Sequence, residues 1–253
     1  MKKIFLFISF LTLITPLFSQ HDCYVVGYAS DDSIHFYSKV WKNGEVLFSI
    51  KDGIHNIAPW NIIVTDSEDV YVSTIYNENA SYVGDARVWK NGLELYTIAG
   101  AYARGLAIDG EDVYMSGGKY FYMGNAAAKV WKNGEELYSL SHSNIPAGVQ
   151  NMCISDGNIY VVGWESKPPP GGTGPGIESA RVWKNGEQLY DLSNNRSNAF
   201  SIFIDGDDVY VGGEEYLYSS VIYGSYVVAR VWKNGEVLYT FSYPDLPDDS
   251  YAN

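Results

Sequence analysis

Val40-Trp41-Lys42-Asn43-Gly44 returns four times along the chain, at Val88–Gly92, Val130–Gly134, Val182–Gly186 and Val231–Gly235. Its tryptophans stand at 41, 89, 131, 183 and 232, so successive copies are 48, 42, 52 and 49 residues apart. A second string precedes each copy: Asp69-Val70-Tyr71-Val72, Asp112-Val113-Tyr114-Met115, Asn158-Ile159-Tyr160-Val161 and Asp208-Val209-Tyr210-Val211. Asp22-Cys23-Tyr24-Val25 is its drifted first member. A fixed period of this length marks a repeat architecture in which no unit buries its apolar face alone.

Each unit reads as four strands. An apolar segment such as Ser201-Ile202-Phe203-Ile204 leads, and a polar Asp205-Gly206-Asp207 turn follows it. The Val-Tyr string is the second strand and Val-Trp-Lys the third. Asn-Gly supplies the two positive-φ residues of a type I′ hairpin, and a Leu-Tyr string such as Leu137-Tyr138-Ser139-Leu140 is the fourth strand. Lysine before Asn-Gly and glutamate after it are expected to face each other across the turn in four units, each pair contributing roughly 0.2–1 kcal/mol. The second unit has Leu93 there instead. Helical periodicity appears nowhere beyond the N-terminal segment.

Four-stranded units of about 40–50 residues predict an all-β, five-bladed β-propeller of antiparallel blades. The count predicts a first blade lacking its inner strand, because unit one begins at Tyr24 with its second strand and the chain stops at Asn253, where a closing strand would start. Two arrangements satisfy that count: a chain cut short of a longer propeller, which the strand accounting favours, or a ring that closes one strand short. The Val209–Gly213 pattern resembles the second strand of kelch repeats, although their tryptophan sits on a different strand. The chain as a whole is similar to uncharacterised secreted bacterial β-propeller proteins with VWKNGE repeats, a resemblance that implies a fold and carries no activity. In unit length and count it also resembles five-bladed lectin propellers, without their sequence motifs.

Lys2 and Lys3, then an apolar run from Ile4 to Ile14 broken by Ser9 and Thr12, predict a cleavable secretory signal over 1–19 and a domain over 20–253. The run is shorter than the roughly 20 residues of a membrane helix. Gln20-His21-Asp22 before Cys23 are the wrong residues for lipoprotein processing, so a secreted, periplasmic or extracellular location is expected. Removing Lys2 and Lys3 leaves 15 basic residues against 30 acidic ones, a net charge of −15. Such a surface repels phosphate backbones and argues against nucleic acid as a partner. Cys23 and Cys153 are the two cysteines, and their places in the repeat predict buried apolar filler rather than a disulfide.

Near-identical turns on one face of the repeat array are what folding demands, so Trp41, Trp89, Trp131, Trp183 and Trp232 are expected in the core. The irregular loops fall on the other face, where binding residues concentrate. That face holds His35, Phe36 and Tyr37; Trp60; Tyr76 and Tyr82; Arg104; Tyr120, Phe121 and Tyr122; Trp164; and Tyr216, Tyr218 and Tyr223. Trp60, Arg104, Tyr122, Trp164 and Tyr218 are the candidate ligand-binding residues, since aromatic rings beside polar groups suit stacking on sugars or peptide surfaces. The Lys167–Gly176 insertion reads as a tolerated surface loop, with an interaction tether as the alternative. No Gly-x-Ser-x-Gly or His-Glu-x-x-His occurs, and the histidines at 21, 35, 55 and 142 lack metal-ligand spacing. Asp205-Gly206-Asp207-Asp208 lacks the alternating ligands of a calcium loop. No metal or cofactor is expected. The residues thus predict a non-catalytic binding or interaction module for a glycan or protein partner. A carbohydrate-active hydrolase or lyase using loop-face carboxylates is the competing class, and a structural or adhesive surface protein a third.

Overall fold

The computed structural model describes residues 22–30, 35–52, 55–77, 84–122, 125–141, 145–168, 176–219 and 224–242. The stretch read as a signal, most of the Lys167–Gly176 insertion and the C-terminal stretch read for a closing strand lie outside them. The chain is all-β. Sheet one has three strands, β1 (Tyr24–Ala29), β2 (Tyr37–Lys42) and β3 (Glu45–Ile50). Four four-stranded sheets follow. Sheet two is β4 (Asn56–Val64), β5 (Val70–Asn77), β6 (Asp85–Lys90) and β7 (Leu93–Ile98); sheet three is β8 (Ala101–Asp109), β9 (Asp112–Tyr122), β10 (Asn125–Lys132) and β11 (Glu135–Ser139). Sheet four is β12 (Ala147–Ser155), β13 (Asn158–Lys167), β14 (Ile177–Lys184) and β15 (Glu187–Asp191); sheet five is β16 (Ser197–Asp205), β17 (Asp208–Ser219), β18 (Gly224–Lys233) and β19 (Glu236–Phe241). Every sheet is an antiparallel meander of consecutive strands, and the leading strands β4, β8, β12 and β16 pack against one another in that order.

The hairpins form as their residues dictate. The five turn asparagines take φ of 50–53° and the glycines after them 80–89°, the conformation whose twist matches the flanking strands. The asparagine also ties the third strand to the second. In sheet three the Asn133 side chain accepts from the Val113 N–H at 2.8 Å and donates to the Asp112 carboxylate at 2.8 Å. Asn43, Asn91 and Asn234 repeat this with Cys23 and Asp22, Val70 and Asp69, and Val209 and Asp208. In sheet four the partner of Asn185 is Asn158, at 2.9 Å.

In four units the lysine does stand opposite the glutamate across the turn, Lys42 with Glu45, Lys132 with Glu135, Lys184 with Glu187 and Lys233 with Glu236. Among the described residues, however, its charge goes to the aspartate that opens the second string, where there is one, rather than to that glutamate. Lys132 is 2.7 Å from Asp112, Lys90 is 2.8 Å from Asp69, and Lys233 is 2.7 Å from Asp208, each amine lying over the tyrosine of the second strand. The aspartate, fixed by the asparagine amide, is already in place to receive the charge. The two repeated strings are therefore one clamp.

This clamp has a pH signature. The lysine first, and the asparagine second, hold the Asp22, Asp69, Asp112 and Asp208 carboxyls below their usual range. A carboxyl lowered on folding stabilises above its unfolded pKa, and that contribution is lost as pH falls through the folded value. The melting temperature is expected to hold from neutrality to about pH 4 and then fall. In Asp112→Asn, whose clamp no longer titrates, the acid-side fall should be shallower in thermal melts at matched pH. An unchanged slope would remove Asp112 from the linkage.

The core lies between sheets. Each four-stranded sheet sends its tryptophan and the apolar residues of its Val-x-Val pattern back towards the preceding sheet, and each sheet turns its tyrosine and third-strand valine forward. Thus Trp131 and Met115 meet Tyr71 and Val88; Trp183 and Val161 meet Tyr114 and Val130; Trp232 and Val211 meet Tyr160 and Val182. Val70, Val72 and the less buried Trp89 meet Val40 and Tyr24. An aromatic ring on the fourth strand of each earlier sheet covers the next sheet's turn glycine: Phe48 on Gly92, Tyr96 on Gly134, Tyr138 on Gly186 and Tyr190 on Gly235.

Two expectations fail at sheet one, for one reason. Trp41 is only half-buried and Cys23 is exposed rather than core filler, because among the described residues no sheet packs on the backward face of sheet one. Cys153 does lie in the core between sheets four and five, where burial pushes its thiol up to about 11. Both cysteines are free thiols.

Candidate functional site

The leading strand of every four-stranded sheet carries a β-bulge at the same place. Register slips between Pro59 and Asn61, Ala103 and Gly105, Val149 and Asn151, and Ala199 and Ser201. The residues left without a partner are Trp60, Arg104, Gln150 and Phe200. A bulge re-aims the side chain it carries and recurs beside binding sites. Because the four leading strands pack side by side, the four bulged residues form a row across neighbouring sheets.

Within that row Arg104 stacks on Trp60, its guanidinium carbon 3.6 Å from the ring centroid, and lies 5.8 Å from the Tyr102 ring. Arg87, Arg181, Arg196 and Arg230, the other arginines, pair with Glu94, Glu165, Glu178 and Glu215. Arg104 has no carboxylate partner among the described residues, and its buried Nε has no hydrogen-bond acceptor. Burial presses its guanidinium below arginine's ordinary pKa. Desolvating a cation without pairing it is costly. An arginine left without an acid in a chain with 30 acidic residues marks a position open to an external anion.

Beside Arg104 opens a cavity of about 390 Å³ between sheets three and four. Tyr102, Tyr120, Asn125, Gln150 and Trp164 supply its aromatic and amide lining. The Tyr102 and Tyr120 rings sit 5.6 Å apart, and the Tyr102 hydroxyl is bonded to the Val149 backbone. The Trp164 indole packs directly against Gly148, where no side chain intervenes. All these groups come from the starts of first and third strands and the ends of second strands. This is the face on which the irregular loops were placed.

Of the five sequence candidates, the structure brings Arg104 and Trp164 to one cavity and joins Trp60 to it through the Arg104 stack. Tyr218 stands exposed near the tip of the β17–β18 hairpin and lines neither this cavity nor the second, around Glu165 and Arg181. Tyr122 ends β9, and its side chain lies outside the described residues. Gln150 and Phe200 were missed, although a signal existed. Each bulged residue lies two positions before the apolar marker of its leading strand: Ile62, Leu106, Met152 and Ile202.

No group of three or more metal-ligating side chains occurs among the described residues, and no helix among them is long and apolar enough to cross a membrane. His55 instead bonds Asp52 at 2.7 Å and the Tyr76 hydroxyl, within a contact between sheets one and two.

No protein-family model matches the chain, and no curated protein does. Solved structures do. The chain is similar to the acylaminoacyl peptidase of Pyrococcus horikoshii, at 14% identity over 88% of this chain and 36% of that one, with a TM-score of 0.50. It is also similar to the β-propeller domain of the Trilobed protease from Pyrococcus furiosus, at 15% identity over 86% of this chain and 61% of that one, with a TM-score of 0.47. A GH43 endo-arabinanase from Bacillus licheniformis matches at 11% identity over 86% and 93% of the two chains, with a TM-score of 0.39. The chain thus spans less than two thirds of the first two. Similarity at this identity speaks for a fold alone and not for an activity.

Proposed function

We propose that the chain is a secreted, non-catalytic five-bladed β-propeller that binds an extracellular glycan carrying a carboxylate, on the face formed by the bulge row and the adjoining cavity. The observation that carries this reading is Arg104, the one arginine without an acid among the described residues, held in a stack beside an aromatic cavity. Its guanidinium offers a planar fork to a carboxylate, while Trp60 and Trp164 offer flat apolar faces to a sugar ring and Gln150 and Asn125 offer amides to hydroxyls. A glycosidase needs two carboxyl groups about 5–10 Å apart at the scissile bond, and the described lining of this cavity contains neither aspartate nor glutamate.

The test is an array of acidic and neutral polysaccharides scored for retention and for released sugar. Retention of uronate-bearing polymers is expected, and Arg104→Gln should weaken it about 10- to 100-fold, the loss of one charge-assisted contact, while sparing the melting temperature. Equal binding of neutral and acidic polymers by both proteins would remove Arg104 from the site. Release of sugar would replace the binding reading with the hydrolase, and retention of acidic peptides alone would make the partner a protein.

A further inference from the structure

We propose that sheet five seats sheet one of a second copy of this chain, in a head-to-tail junction built like the four inside the molecule. At those junctions the forward face of one sheet meets the backward face of the next, and the apolar partners on both sides are largely buried. Sheet five displays the forward face uncovered. Tyr239 is 57% exposed and Phe241 59%, whereas the residues equivalent to Phe241, namely Ile50, Ile98, Leu140 and Leu192, are buried. Sheet one displays the backward face uncovered. Val25 is 51% exposed, while its equivalents Val72, Met115, Val161 and Val211 are at most 2% exposed.

Among the described residues the two faces do not cover each other. None of those residues lies within 4 Å of a side-chain carbon built on Gly44, the one turn glycine of the five without a ring of another described sheet over it. Tyr239 is the ring that the repeat assigns to that place. The occupant that sheet five's face fits is therefore defined by the chain itself: a tryptophan, an apolar second strand and a bare Asn-Gly turn. Sheet one presents Val25 and Gly44 uncovered, with Cys23 exposed in place of the first valine and Trp41 only partly buried. An isologous pairing of two like faces would set ring against ring and leave each turn glycine bare. Head-to-tail contacts either close into a ring or extend, and the two faces of each copy permit both.

Sedimentation velocity on the full chain across a concentration series tests this. The wild type is expected to associate at micromolar concentration. Tyr239→Asp on the forward face and Val25→Asp on the backward face should each weaken self-association by about 30-fold or more, the loss of a central apolar anchor. Both positions are exposed in the single chain, so circular dichroism should be unchanged, and Phe241→Asp replaces Tyr239→Asp if it is not. The decisive arm is the mixture. Tyr239→Asp keeps a good sheet one and Val25→Asp a good sheet five, so together they should form a one-to-one dimer that grows no further. A wild type that stays monomeric throughout would overturn the proposal, whether its ring closes on itself or its faces await other blades. Self-association of either variant alone at wild-type strength would overturn it in favour of like-face pairing.

Discussion

Trp183→Ala is expected to cost about 3–5 kcal/mol of stability, the range for deleting a large buried aromatic, whereas Trp41→Ala should cost no more than about 1 kcal/mol. The two residues occupy the same place in the same string. Trp183 is 1% exposed and fills the space between sheets three and four against Tyr114, Val130 and Met152. Its removal leaves a cavity that strands clamped at both ends cannot collapse to fill. Trp41 rests on Gly27 of its own sheet and is only partly buried. Urea titrations of both variants at low protein concentration, followed by far-ultraviolet circular dichroism, compare them directly. Equal costs would mean that something covers Trp41 in solution. A concentration-dependent cost at Trp41 alone would identify that cover as a second copy.

Gly163→Ala is expected to cost at least about 3 kcal/mol, because it forces backbone apart rather than straining one residue. A methyl carbon there would lie 1.9 Å from the Gly148 carbonyl oxygen. The neighbouring bulge at Gln150 fixes that carbonyl, so relief requires opening the β12–β13 ladder and lifting Trp164 from Gly148. Gly110→Ala is the control. Gly110 has positive φ but nothing within 4 Å, and its change should cost about 1–2 kcal/mol of left-handed strain. Thermal melts order the two variants. If Gly163→Ala were the milder, the bulge would be a soft feature and a poor foundation for a binding site. The contact arises where the glycine faces the bulge, and Gly117 and Gly213 stand in the same relation to Tyr102 and Asn198. Sheet two carries Thr74 there instead, opposite Pro59, and its hydroxyl accepts the Trp89 indole N–H.

The strands, their order and the hairpins were legible because Asn-Gly, Val-Tyr and Val-Trp each have a local physical meaning that repetition multiplies. The clamp was only half legible. Both strings were visible, but strand pairing places Lys132 opposite Glu135 as readily as beside Asp112, and only the asparagine amide decides between them. The site was legible by residue type and not by position. Searching for aromatic side chains finds Trp60 and Trp164 and also selects Tyr218, which lies elsewhere, while it passes over Gln150. Counting back two residues from Ile62, Leu106, Met152 and Ile202 finds the whole row, because a bulge is a property of register. The uncovered faces were beyond local reading. Periodicity states what a junction contains but not whether the last sheet meets the first, which depends on the accumulated angle between sheets.

Because each core lies at a junction and the clamps lie within sheets, the molecule behaves energetically as a chain of linked nearest neighbours rather than one indivisible globule. Among the described residues sheets two to four are held from both sides and sheets one and five from one, so hydrogen exchange should begin at the two end sheets and travel inward. The bulge row is then graded in rigidity. Arg104 and Gln150 sit where backbone opening is rarest, and Phe200 sits one step nearer a fraying end, so a ligand spanning the row would meet a firm anchor and a yielding margin.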